Sequence, residues 1–137
     1  MPDSTARSAE RPLSPFITVY RWSYTMTLSI LHRVTGVALA LALLGLVAWL
    51  LSASRGADAY ATLTPLLLSV PGRLLIVLAM TALIYHCCNG LRHLAWDMGW
   101  GFERADARRS AALVVIVTLI CAALCLYAMF RPGTGGA

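Results

Sequence analysis

The chain has 137 residues, of which 59% are hydrophobic and only 12% are charged, and its formal net charge is +5. A soluble domain carries roughly a quarter charged residues, so this composition indicates a surface that faces lipid. All eleven basic residues are arginines that cluster between apolar stretches. This placement is typical of the ends of membrane helices and argues against a nucleic-acid partner.

Three apolar stretches predict an all-α membrane protein with three transmembrane helices. Each stretch is free of charge over about the length that crosses a hydrocarbon core of roughly 30 Å. We place the spans at about residues 30–54, 70–92 and 109–130. Residues 1–22 are predicted to be an N-terminal arm, and residues 23–137 form the transmembrane domain. The connection at 54–72 contains proline and glycine and predicts a loop with room for a short interfacial helix.

The arginines also predict the orientation in the membrane. Eight of them flank the N-terminus or lie at the second connection, whereas three lie in the first connection or near the C-terminus. Because basic residues are retained on the cytoplasmic side, we expect the N-terminus and the second connection to be cytoplasmic. No short apolar core follows a basic start, so no cleavable signal peptide is expected.

A first polar cluster lies at the inner mouth of the first span, where residues 29–36 read SILHRVTG. Ser29 and Arg33 are four residues apart and therefore share a helix face. Thr35 and Gly36 keep the helix narrow, which lets another helix or a flat cofactor approach. The alternative is an interfacial anchor in which Arg33 extends to lipid headgroups. Spacing alone leaves both interpretations open and slightly favours the anchor.

A second polar cluster lies at the inner end of the second span. At about 100° per residue, His86, Gly90, His93 and Asp97 fall within roughly 60° of one another. They form one stripe that runs from membrane depth to the inner surface. His86 lies about 9 Å deeper than Arg92, by the helical rise. An ionisable residue at that depth usually faces a partner or a cofactor.

A neutral imidazole inside a helical bundle is a good axial ligand for haem iron. Gly90, one turn from His86, leaves room for a planar macrocycle. Haem propionates are anionic, and four candidate cations lie near the inner boundary: His32, Arg33, Arg92 and His93. Because the chain offers one histidine at membrane depth, a second axial ligand would have to come from another subunit. The alternative is that His86 forms a hydrogen bond to a neighbouring helix.

Both clusters, together with the RPLSP segment at residues 11–15 and the VYRW segment at 19–22, resemble the cytochrome b subunit of succinate dehydrogenase. The likeness is to the alphaproteobacterial and mitochondrial branch. It follows the pattern S-I-x-H-R-x-T-G and then H-x-x-x-G-x-R-H-x-x-x-D, in order along nearly the whole chain. Phe16 is a departure, since relatives often carry histidine there.

This resemblance implies a role for each matching residue. His86 corresponds to an axial ligand of haem b, and Ser29 and Arg33 correspond to residues that line the ubiquinone pocket. His32 and Arg33 match groups that approach the haem propionates, and His93 is assigned to the same region. No catalytic residue is expected in this chain, which would contribute an anchor, one haem ligand and part of a quinone site.

The resemblance also implies partners: a flavoprotein subunit, an iron–sulfur subunit, and a second small anchor subunit that completes the helical bundle and supplies the other haem ligand. The chain has no G-x-G-x-x-G motif and no cysteine series for iron–sulfur clusters, so succinate oxidation is expected in other subunits. The expected location is the bacterial inner membrane, in preference to the mitochondrial inner membrane.

Two other functions remain open from the sequence. The first is the anchor of a quinol:fumarate reductase, which runs the same chemical couple in reverse. The second is a membrane scaffold without a cofactor, in which His86 makes only an interhelical hydrogen bond. A small transporter is not favoured, because the chain shows no internal repeat or pair of broken helices.

Overall fold

The structure, a computed structural model, describes residues 16, 19 and 21–132. These residues form four helices and no strand: α1 (Tyr24–Ser54), α2 (Ala57–Leu68), α3 (Val70–Asp97) and α4 (Arg104–Phe130). The all-α prediction is therefore confirmed. The predicted N-terminal arm, including the RPLSP segment at 11–15, lies almost entirely outside the described residues.

Three of these helices, α1, α3 and α4, are long and apolar enough to cross a membrane. Each of them is longer than the corresponding predicted span. In all three helices the additional residues lie at the same end of the bundle. α1 begins at Tyr24, α3 ends at Asp97, and α4 begins at Arg104. Charged residues interrupt an apolar stretch but do not interrupt a helix, so the helices continue past the hydrocarbon core at this end.

The start of α1 is set by a local cap. The Ser23 side chain accepts a hydrogen bond from the backbone N–H of Met26 at 3.4 Å, which satisfies one of the free donors of the first turn. Just before it, the Trp22 indole N–H donates to the Thr27 hydroxyl at 2.6 Å. These contacts start the helix well before the charge-free stretch begins.

The first connection is mostly helical. α2 occupies residues 57–68 of the segment that the sequence predicted to be a loop with room for a short helix. Ser69 then caps α3 by accepting a hydrogen bond from the backbone N–H of Gly72 at 3.3 Å, and Pro71 lies in the first turn of α3. A Cβ atom on Gly72 would lie 2.2 Å from the carbonyl oxygen of Leu66. The end of α2 therefore packs directly on the start of α3.

α3 is the central helix, because it packs against both α1 and α4, which contact each other much less. A small core joins the three spans near the extended end of the bundle: Leu28, Tyr85, Ala111 and Val114. Most large apolar side chains elsewhere are exposed, among them Leu41, Leu75 and Leu119. Such an apolar exterior suits contact with lipid or with another membrane subunit.

We predict that Gly72→Ala destabilises the protein by about 1–3 kcal/mol, because the new methyl group meets backbone atoms that cannot rotate away. The matched control is Gly45→Ala in the middle of α1, where an added Cβ meets nothing within 4 Å. Thermal unfolding of the detergent-solubilised assembly should show a lower midpoint for Gly72→Ala only. Equal midpoints for the two variants would contradict the tight packing of α2 on α3.

Candidate functional site

The imidazole of His86 is held by α1. Its Nδ1 atom lies 3.1 Å from the backbone carbonyl oxygen of His32 and 3.2 Å from the Thr35 hydroxyl. A carbonyl oxygen can only accept, so Nδ1 carries the hydrogen and the lone pair of the neutral ring lies on Nε2. Within the described residues, Nε2 has no hydrogen-bond partner. The ring is therefore fixed at one nitrogen and open at the other.

Two further histidines complete a cluster between α1 and α3. The rings of His32 and His86 are stacked, with centroids 3.9 Å apart and an interplanar angle of 15°. The His93 ring lies on the other side of His32, with centroids 5.3 Å apart and a tilt of 50°. The structure thus brings together histidines from the two polar clusters that the sequence placed at one membrane face.

Glycines make this close approach possible. A Cβ on Gly36 would lie 3.0 Å from Cε1 of His86, so this position admits only glycine without a shift of the ring. A Cβ on Gly90 would lie 3.5 Å from Cε1 of His32, which is ordinary contact. From the sequence, we predicted that the space beside Gly90 accommodates a planar macrocycle. In the structure, the His32 ring occupies that space.

Ser29 faces α3, and its hydroxyl oxygen lies 3.5 Å from Nε2 of His93. Arg33, which the sequence places on the same face of α1 as Ser29, is exposed and makes no hydrogen bond or ion pair with any described residue. Asp97, at the end of the α3 stripe, is also exposed. Ser29 is therefore part of the histidine cluster, whereas Arg33 and Asp97 lie at its open edge.

Arg92, which the sequence grouped with the candidate cations for propionates, joins α3 to α4 instead. It is 5% exposed. Its guanidinium donates to the Ser110 hydroxyl at 3.1 Å, to the Ala107 carbonyl at 3.2 Å and to the Asn89 side-chain oxygen at 3.3 Å. These contacts involve all three of its nitrogens and hold the guanidinium between α3 and α4.

The sequence interpretation gave no role to two buried polar residues beside the cluster. Asn89 is fully buried, and its amide donates to the carbonyl oxygen of Leu28 at 3.4 Å. The Tyr85 hydroxyl donates to the same carbonyl at 2.6 Å. The sequence did contain a signal for this site, namely an asparagine inside a charge-free stretch, because a buried amide requires hydrogen-bond partners in a bundle.

The tryptophans at this end of the bundle differ in their surroundings. The Trp96 ring lies under the Arg92 guanidinium, 4.0 Å from its central carbon, and contacts the His93 ring edge-on. Trp22 and Trp100 are more than 60% exposed. Trp96 is therefore in contact with the histidine cluster.

Comparisons with known proteins agree with this arrangement. Residues 7–125 match the family described as succinate dehydrogenase/fumarate reductase transmembrane subunit. The chain is 38% identical over 111 residues to the succinate dehydrogenase cytochrome b556 subunit of Rickettsia bellii, covering 81% of this chain and 86% of that protein. It is 35% identical over 120 residues to the Paracoccus denitrificans b556 subunit, covering 88% and 92% respectively. It is 40% identical over 118 residues to the human mitochondrial b560 subunit, covering 82% and 68%.

The fold defines the general class, an integral membrane subunit with three spans and a polar cluster between two of them. The chain belongs to the succinate dehydrogenase cytochrome b family, as its motifs predicted. It is accordingly a membrane-anchor subunit of succinate dehydrogenase, which is an oxidoreductase complex, and an inner-membrane protein. The family description also covers fumarate reductases, whereas the relatives above are all named as succinate dehydrogenase subunits.

We predict that Asn89→Ala lowers the stability of the assembled complex by about 1–3 kcal/mol, because the buried Arg92 loses an acceptor. The matched control is Leu91→Ala, two residues away on the exposed side of α3. Thermal unfolding in detergent should separate the two variants. A loss for Leu91→Ala as large as that for Asn89→Ala would show that general truncation of α3 causes the effect.

Proposed function

We propose that this chain binds haem b jointly with a second small anchor subunit, and that Nε2 of His86 is one axial ligand of the iron. The observation that carries this proposal is the hydrogen bond from Nδ1 of His86 to the His32 carbonyl. Histidines that bind metals usually donate their other ring N–H to a carbonyl or a carboxylate, which fixes the tautomer and the ring orientation. The cytochrome names of the relatives agree with this role.

The residues around His86 suit such a ligand. The ring is fixed by Thr35 and by stacking on His32, and Gly36 provides the space that it needs. Among the described residues, no group of three His, Cys, Asp or Glu side chains could hold a metal ion by itself. As the family resemblance implies, we assign the second axial ligand to the partner anchor subunit. The bound haem would supply one-electron redox chemistry.

We assign His32, Arg33 and His93 to the region of the haem propionates. His32 supports this assignment most directly, because its Nδ1 atom is buried and has no partner among the described residues. A buried ring nitrogen without a partner is costly, and a propionate oxygen is a suitable acceptor for its hydrogen. Arg33 is exposed at the same end of the bundle and offers a permanent positive charge.

Ser29 and Arg33 are proposed to line the site at which ubiquinone is reduced. Reduction places negative charge on the carbonyl oxygens of the quinone before protons arrive. A hydroxyl donor and a fixed cation stabilise that charge, most strongly where water is excluded. Arginine remains protonated, so Arg33 would supply charge and not a proton. The proton donor would be His32, a water chain or a tyrosine of the partner subunit.

The remaining subunits complete the reaction. We propose that succinate is oxidised in the flavoprotein subunit and that the iron–sulfur subunit carries electrons to the quinone site. The site lies at the end of the bundle where α1 begins and α3 ends. With the N-terminus on the cytoplasmic side, as the arginines predict, this end faces the soluble subunits.

We predict that His86→Ala abolishes the b-type bands in the reduced-minus-oxidised spectrum of the purified complex, because the iron loses a ligand. Thr81→Ala is the matched control, since this residue lies on the same span and its hydroxyl only donates to the Val77 carbonyl of its own helix. An unchanged spectrum in His86→Ala would overturn the ligand assignment. The scaffold without a cofactor predicts a different result, namely that the purified wild-type complex shows no b-type bands.

We predict that Ser29→Ala lowers succinate:ubiquinone activity at least about tenfold, because a donor to the quinone oxygen is lost. Succinate oxidation with a soluble artificial acceptor should be unaffected. Ser54→Ala is the matched control at the other end of α1, where the hydroxyl donates to the Leu51 carbonyl. Equal losses with both acceptors would mean that Ser29 serves assembly and not quinone binding.

A further inference from the structure

We propose that His93 is a positioning residue that orients the Ser29 hydroxyl toward ubiquinone. The proposal deepens the quinone site proposed above and rests on the role given there to Ser29. Its observation is the contact across the α1–α3 interface, in which Nε2 of His93 lies 3.5 Å from the Ser29 hydroxyl oxygen.

The hydroxyl of Ser29 differs from those of Thr35, Ser52 and Ser54 on the same helix. Serine and threonine inside a helix commonly donate to a carbonyl oxygen one turn earlier. On α1, Thr35 donates to Leu31 and His32, Ser52 donates to Trp49, and Ser54 donates to Leu51. Within the described residues, the only partner of the Ser29 hydroxyl is His93. Its hydrogen is therefore not committed to its own helix.

Rings on two sides determine the orientation of His93. The Trp96 ring contacts it edge-on, with centroids 5.2 Å apart and an interplanar angle of 80°. The His32 ring lies 5.3 Å away at a tilt of 50°. Both neighbouring rings are partly buried. They limit the space around the His93 ring, whose Nε2 atom lies beside the Ser29 hydroxyl.

Contacts that lead to α4 and to the second connection hold Trp96 in place. The Arg92 guanidinium lies 4.0 Å from the centre of the Trp96 ring, and Arg92 is bound to Ser110 and Ala107 at the start of α4. The indole N–H of Trp96 donates to the Gly101 carbonyl at 3.1 Å. A continuous set of contacts therefore runs from α4 through Arg92, Trp96 and His93 to Ser29.

The positioning role requires one direction of this hydrogen bond, in which Nε2 of His93 is the donor. If Nε2–H of His93 donates to the Ser29 oxygen, the serine hydrogen is free to donate to a quinone carbonyl. The distance of 3.5 Å is at the long end of a hydrogen bond. When the serine hydrogen donates outward, the oxygen becomes a better acceptor, and the two bonds strengthen each other.

The test compares His93→Phe with His93→Gln in the complete, purified complex. Phenylalanine keeps a ring between Trp96 and His32 but cannot donate to Ser29, whereas the glutamine amide can donate from a similar position. We expect kcat/KM for a short-chain ubiquinone to fall about tenfold in His93→Phe. His93→Gln should restore most of that loss. Activity with a soluble artificial acceptor should be unchanged in both.

A double-mutant comparison isolates the action of His93 through Ser29. In a Ser29→Ala background, His93→Phe should cause no further loss of quinone activity, because the group that it orients is gone. Additive losses would overturn the positioning role, as would a loss in His93→Phe that glutamine does not restore. Equal loss of artificial-acceptor activity would also overturn it, by assigning His93 to assembly.

A second variant covers the case in which His93→Phe fails to assemble. Trp96→Leu keeps His93 but removes the ring that holds it, and it should lower quinone kcat/KM severalfold in the same direction. No change in this variant would overturn the role of Trp96 in the positioning. If Ser29→Ala alone leaves quinone activity intact, the proposed quinone site itself fails. If Ser29→Ala lowers that activity while the His93 and Trp96 variants do not, only the positioning role fails.

Discussion

The contact on which the site depends is the close approach of α1 and α3 at Gly36. With no side chain at this position, the His86 ring reaches the backbone of α1, where a methyl group would lie 3.0 Å from its Cε1 atom. The Nδ1 hydrogen of His86 can then bond to the His32 carbonyl, and the two rings stack. The absence of a side chain at Gly36 therefore allows this position of the imidazole. A methyl group there would require the His86 ring to shift.

A second set of contacts holds this helix pair against α4. The buried Arg92 binds Asn89 on its own helix and Ser110 and Ala107 on α4. Asn89 in turn binds the Leu28 carbonyl of α1. Buried charge is tolerated in a membrane bundle when its hydrogen bonds are satisfied. Because the network adjoins the histidine cluster through Trp96, the packing of all three spans and the geometry of the proposed redox site are linked.

Much of this architecture could be predicted from the sequence. Hydropathy locates three spans because lipid imposes a minimum apolar length, and the helical repeat places His86, His93 and Gly90 on one face. Helix ends were less predictable, since Ser23 starts α1 through a local cap before the apolar stretch. The contacts of Arg92 with α4 were not predicted for a related reason: arginines at the membrane boundary look alike in sequence, and only packing distinguishes an exposed side chain from a buried one.

The sequence by itself determined the class of protein and the number of spans, and it supplied the candidate residues for the chemistry, because composition, helical period and motif spacing are local properties. The tertiary structure alone decided which of those residues meet. It placed His32 in the space at Gly90, turned Ser29 to His93, and directed Arg92 toward α4. Such choices depend on how two helices rotate and approach each other, and this is set by the shape of both surfaces together. The three apolar spans thus specified a membrane anchor, while the contact at Gly36 specified its histidine cluster.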